Sequence, residues 1–156
     1  MTGAGEARRT AGSVSEWQAE DMTESASQEP DPELLELWAR VFEFARQGQT
    51  ETLAAYVDAG IPANLTNDKG DTLVMLAAYH GHADTVRSLL ERGADPNRLN
   101  DRGQSPVAGA VFKDEPEVVK VLLDGGADPE LGQPSALDTA RMFGNEEMLT
   151  LLRPGG

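Results

Sequence analysis

The sequence predicts an all-α solenoid of stacked helix-turn-helix units, and two observations predict it. The first is a period. Gly93-Ala94-Asp95-Pro96 recurs 33 positions on as Gly126-Ala127-Asp128-Pro129, and a weaker echo, Gly60-Ile61-Pro62-Ala63-Asn64, precedes the first by the same interval. A fixed period of about 20 to 50 residues means that one supersecondary unit is stacked on the next, instead of several elements being wrapped around one central core. The second is that, between these strings, apolar residues fall at helical spacing and glycine or proline stands where a helix must start or stop. Stacked units offer an extended surface, so binding is the leading functional class.

Residues 1–30 are rich in Gly, Ala, Ser, Thr, Glu and Gln. Their few large apolar residues, Val14, Trp17 and Met22, show no period, so the segment is expected to be a disordered acidic tail. Order is expected from 31 to 153. Asp31-Pro32-Glu33 reads as N-cap, first-position proline and an acid favourable to the helix dipole. Leu34, Leu37, Trp38, Val41, Phe42 and Ala45 then form one stripe ending near Gly48, which suits a capping helix with Trp38 and Phe42 sealing the end of the stack. A second helix is expected over Gln49 to Val57, ended by Gly60.

In the next unit Thr72 can cap a short helix whose Ala77 and Ala78 permit close approach. Gly81 breaks the chain, and Val86, Leu89 and Leu90 stripe a helix over Ala83 to Arg92. The third unit repeats the plan with Ser105 as N-cap and Pro106 at the first position, Asp114 in place of the inter-helix glycine, and Val118, Val119, Val121, Leu122 and Leu123 on the second helix. The fourth, Ser135 to Leu152, has a connection three residues shorter (72 to 105 is 33, 105 to 135 is 30), and Gly144 restores the register.

Composition narrows the chemistry. Thirteen Lys and Arg against 27 Asp and Glu leave a net charge of -14, which repels phosphate backbones and anionic membranes; neither nucleic acid nor membrane is an expected partner. No cysteine is present, which excludes disulfides, thiolate nucleophiles and cysteine-ligated zinc. Arg8 and Arg9 are not followed by an apolar run of signal-peptide length, and a cytoplasmic location is expected.

The second unit resembles an ankyrin repeat through Gly70, Thr72, Leu76, Ala77, Ala78, Gly81, His82, Val86, Leu89, Leu90, Gly93, Ala94, Asp95 and Asn97. The third does so through Gly103, Ser105, Pro106, Ala110, Glu117, Val118, Val119, Leu122, Leu123, Gly126, Ala127 and Asp128. The resemblance implies an ankyrin solenoid with β-turn fingers and four repeats, at about 34–66, 67–99, 100–132 and 133–153, the first and last being degenerate caps. The family histidine that bonds between repeats is replaced by Met75 and Ala108, so that network is expected to be weak or absent.

Chemistry-bearing groups are few. His80 and His82 with Asp84 could seed a metal site, but Gly81 splays the two imidazoles and His82 stands where the family uses it structurally; no metal, cofactor or catalytic residue is expected. No nucleophile elbow or Ser-His-Asp set is apparent, which leaves an enzyme a distant third hypothesis. The resemblance instead points to protein binding through the concave face and finger tips. Carried over by position, the partner-binding residues are Arg46, Asp68, Lys69, Asp71, Tyr79, His80, Asp101, Arg102, Gln104, Phe112, Lys113, Met142 and Phe143. Aromatic, methionine and arginine enrichment is the mark of an interface core. The expected partner is another protein, met by a chain that is monomeric in isolation; the alternative is a regulatory protein whose acidic tail competes for the groove through Trp17.

Overall fold

The computed structural model describes residues 31–153. The chain divides into two units, 1–39 and 40–156. In the first, the described residues open helix α1 (Pro32–Gln47), where the Asp31 carboxylate accepts from the Glu33 amide at 2.9 Å. The acidic tail expected over 1–30, Trp17 included, lies outside the described residues.

Helix α1 runs on into the second unit, where Val41, Phe42 and Ala45 are buried. It is followed by α2 (Thr50–Asp58), α3 (Leu73–Tyr79), α4 (Ala83–Glu91), α5 (Pro106–Phe112), α6 (Pro116–Asp124), α7 (Ala136–Phe143) and α8 (Glu146–Leu152). The expected helix ends hold to within a residue. Helix α3 packs on α5 and α5 on α7, making an inner row, while α2, α4, α6 and α8 make an outer row behind it. Among the described residues there is no strand, and two isolated antiparallel bridges, Thr66 with Thr72 and Gly132 with Ser135, close finger bases.

Each inner helix starts on a hydroxyl cap. The side chains of Thr72, Ser105 and Ser135 accept from the amides of Met75, Ala108 and Asp138 at 3.0–3.1 Å, satisfying one of the donors a helix start leaves open. Inner helices are lined with small residues, Ala77, Ala78, Ala110, Ala136 and Ala140 all being fully buried, so backbones approach closely. The larger apolar volume lies on the outer row in Val86, Leu89, Val118, Leu122, Met148 and Leu152, each no more than 2% exposed. Burying one such leucine stabilises by about 1.5–3 kcal/mol. Between α5 and α6 the chain needs a left-handed residue, and Asp114 supplies it at φ 59 where Gly144 does so between α7 and α8 at φ 62. The shortened connection into α7 passes through a cis Gln133-Pro134 bond.

Asparagine supplies several of the bonds between repeats, beside the pairs Thr50–Thr85 and Arg92–Asp58. Asn64 accepts from the Asp95 amide and Asn97 from the Asp128 amide, both at 2.7 Å, and Asn97 also donates to the Gly126 carbonyl. The repeated Gly-Ala-Asp string thus donates through its Asp amide to an asparagine of the preceding repeat, and in the second copy its Gly126 carbonyl also accepts from that asparagine.

Candidate protein-binding face

Two asparagines shape the fingers. Asn67 accepts from the amides of Lys69 and Asp71, and Asn100 does the same for Arg102 and Gln104, each bond 2.9–3.0 Å. Such side-chain turns hold a tight loop without any secondary structure. The third finger is then tied to the second: Asn100 donates to the Asp71 carboxylate at 2.8 Å, its amide nitrogen lies 3.5 Å from Met75 Sδ, and the Asp101 amide donates to the Lys69 carbonyl at 3.0 Å. The fingers consequently project Asp68, Lys69, Asp101 and Arg102 beside one another, with Asp71 and Gln104 at their bases.

The inner helices contribute from their C-terminal ends. Tyr79 ends α3 and Phe112 ends α5, 40% and 54% exposed, while Met142 and Phe143 close α7 at 67% and 53%. These are four of the large apolar residues that stay exposed, all at the C-terminal ends of inner helices. The rings of Phe112 and Phe143 lie 5.7 Å apart. Tyr79 leans over Gly109, its Cδ1 only 3.5 Å from where a Cβ would stand, and the Lys113 ammonium sits 5.0 Å above the same ring.

Two hollows result. One of about 410 Å³ opens between the fingers and is lined by Asp68, Lys69, Asp71, Tyr79, Asp101, Arg102 and Gln104, together with Met75, Leu76 and Asn100. The other, about 210 Å³, lies between Tyr79 and Phe112 over Ala108 and Gly109, with Thr139 and Pro134 on its far side. They share Met75, Tyr79 and Gln104, so they adjoin.

A family model for ankyrin repeats in three copies matches residues 41–133. The chain belongs to the ankyrin-repeat family. It is similar to an ankyrin repeat protein of Pseudomonas aeruginosa, 46% identical over 59 residues that make up 38% of this chain and 34% of that one. It is also similar to the crystal structure of the human ASB11 ankyrin repeat domain, with a TM-score of 0.65 and 28% identity over 72% of this chain and 52% of that one. The chain therefore spans about a third of the first and half of the second. Ankyrin repeats are in general modules for protein–protein interaction.

In this ankyrin array, the cations of the candidate face differ from those bound up in ion pairs. Among the described residues Arg46, Arg87, Arg92, Lys120 and Arg141 each lie within 3.5 Å of a carboxylate, whereas Lys69, Arg102 and Lys113 have no such partner. Lys69 and Arg102 line the larger hollow, and Lys113 stands over the Tyr79 ring. Arg46 is accordingly set apart from the residues it was grouped with in the sequence: its guanidinium holds Glu43 at 3.2 Å, and its carbonyl lies 2.8 Å from His82 Nε2. Met142 and Phe143 line neither hollow, although Phe143 extends the aromatic surface from Phe112.

His80 stands edge-on to Tyr79 with ring centres 5.7 Å apart. Its pKa is lowered, first by burial and then by the positive neighbours His82, Arg46 and Lys113, with Glu43 opposing. The candidate metal set is dispersed: His82 is used on the Arg46 carbonyl and Asp84 on Arg87 at 3.0 Å. Among the described residues no three His, Cys, Asp or Glu side chains could hold a metal ion, and no helix is long and apolar enough to cross a membrane.

Reading by position missed Met75, Asn100, Ala108 and Gly109. A signal existed for one of them, since Asn67 and Asn100 stand one period apart. For Ala108 and Gly109 there was none, because a hollow is made by what is missing beside larger neighbours.

Proposed function

We propose that this chain is a non-catalytic binding module that captures a partner protein on the inner-row face and finger tips. Tyr79, Phe112 and Phe143 are the apolar anchors, and Lys69, Arg102 and Lys113 pair with acids of the partner; Asp68, Asp71, His80, Asp101, Gln104 and Met142 complete the contact. The observation that carries this is the meeting of exposed aromatic rings with three cations that lack carboxylate partners among the described residues, Lys69 and Arg102 lining the larger hollow and Lys113 over the Tyr79 ring, in a chain of net charge -14. Interfaces concentrate their energy in a few such aromatic and basic residues, each worth about 2 kcal/mol or more when truncated. Electrostatic complementarity adds on-rate and specificity.

The test is affinity capture from the native cytosol, read by mass spectrometry, with wild type against Tyr79→Ala/Phe112→Ala. Both side chains are substantially exposed, so their loss is expected to leave helical circular dichroism unchanged while partner capture disappears. Capture undiminished in the double variant would overturn the assignment of the face.

A further inference from the structure

We infer that the smaller hollow is a receptor for one large apolar side chain of the partner, and that this side chain is accompanied by a carboxylate received by Lys113. The inference rests on the protein-binding role above and adds the chemistry of the partner's contacting segment.

Size decides the class of occupant. At about 210 Å³ the hollow falls below the roughly 300–1,000 Å³ of sites that enclose whole small-molecule ligands. It exceeds the cavity of about 150 Å³ that suffices for benzene. A single isobutyl, thioether or phenyl side chain fits those bounds.

Polarity decides its character. The walls are Tyr79 and Phe112, and the floor is Ala108 and Gly109. Three polar side chains of the lining are held within the chain: Ser105 Oγ accepts from the Ala108 amide at 3.1 Å, Thr139 Oγ1 donates to the Ser135 carbonyl at 2.8 Å, and Gln104 Oε1 accepts from the Asn100 side chain at 2.8 Å. A polar group brought in over the Ala108 and Gly109 floor would lose water against apolar walls, which favours an apolar occupant.

Charge decides what flanks it. No Asp or Glu lines this hollow, although the chain carries 27 of them. The Lys113 ammonium lies 5.0 Å from the centre of the Tyr79 ring that walls the hollow, with no carboxylate partner among the described residues. An ammonium held over an aromatic face beside an apolar hollow completes its coordination with an anion, and on a protein partner that anion is an Asp or Glu close to the inserted side chain.

The experiment is selection of randomised displayed peptides on the immobilised full chain, followed by anisotropy titration of the winners. Three variants serve: Gly109→Leu to fill the hollow, Gly109→Ala as its small control, and Lys113→Glu. A Cβ at 109 meets only Tyr79, and at an ordinary 3.5 Å, so Gly109→Ala is expected to keep the wild-type melting temperature or exceed it, and the melting temperature of Gly109→Leu is measured beside it so that a loss of binding is read only on folded protein. The expected winners carry a large apolar residue with Asp or Glu nearby. Their affinity should fall roughly thirtyfold on Gly109→Leu, as for a central anchor. It should survive Gly109→Ala, and on Lys113→Glu it should fall and lose its dependence on salt. Winners that lose affinity on Tyr79→Ala/Phe112→Ala but bind Gly109→Leu and Lys113→Glu like wild type would overturn this inference and leave the protein-binding face standing. Winners indifferent to all of these would overturn both, and failure to select any peptide would overturn the inference alone. Competition by a synthetic peptide of residues 10–30, which holds Trp17 among Glu16, Glu20 and Asp21, would reassign the hollow to the chain's own segment and refute a separate partner.

Discussion

Asn100→Ala separates what shapes one finger from what joins two. Asn100 accepts from two backbone amides in its own finger, donates to Gln104 Oε1, and reaches the preceding repeat through the Asp71 carboxylate at 2.8 Å and Met75 Sδ at 3.5 Å. Asn67, one period earlier, makes only the two intra-finger bonds among the described residues. A partly exposed hydrogen bond contributes about 0.5 kcal/mol net, because water replaces it on loss. Four bonds to oxygen or from backbone nitrogen then give about 2 kcal/mol for Asn100→Ala and about 1 kcal/mol for Asn67→Ala. For an array of this size the melting temperature moves by about 4 °C per kcal/mol, so drops of about 8 °C and about 4 °C are expected. Thermal unfolding followed at 222 nm measures both, and a double-mutant cycle of Asn100→Ala with Asp71→Ala isolates the inter-finger bond at about 0.5–1 kcal/mol. Equal drops for the two asparagines, with a coupling of zero, would refute the claim that the fingers are bonded to each other.

Three further outcomes follow from the same structure. Thr72→Ala removes a cap whose hydroxyl is 1% exposed, and a loss of about 1–2 kcal/mol is expected in urea unfolding; a change below about 0.3 kcal/mol would deny the cap its role. Leu122→Ala, at a fully buried outer-row position, is expected to cost about 2–5 kcal/mol and to unfold the array near ambient temperature. His80 is expected to titrate in the folded protein below its ordinary value of 6.5, as read by NMR. Because its neutral form is favoured on folding, the unfolded chain binds the proton first, so this contribution is intact above 6.5 and is lost as pH falls below it; a midpoint at or above 6.5 would contradict the influence of burial and of the positive neighbours.

Much of the face was legible before its geometry. Tyr79, Phe112 and Met142 could be found because each follows its helix cap by seven residues, with Phe143 next in the chain, and helical spacing turns offset into direction. Lys69, Arg102 and Lys113 were legible as positions but not as free charges. Their distinction from Arg46 depends on Glu43 lying one turn back and reaching the guanidinium at 3.2 Å, a matter of rotamer and distance.

By itself the sequence determined the period, the caps and the polarity of each helix. These are local effects: Thr72, Ser105 and Ser135 bond to amides three residues on, and Val86, Leu89 or Val118, Leu122 bury themselves by spacing alone. Tertiary structure decided the rest. Only stacking brings Asn100 to Asp71, Asn97 to Gly126 and Lys113 to the Tyr79 ring, pairs separated by 29 to 34 positions or lying in successive repeats. The hollow between Tyr79 and Phe112 is likewise a property of neighbours, since Ala108 and Gly109 mark an empty place only when rings from two repeats rise on either side of them.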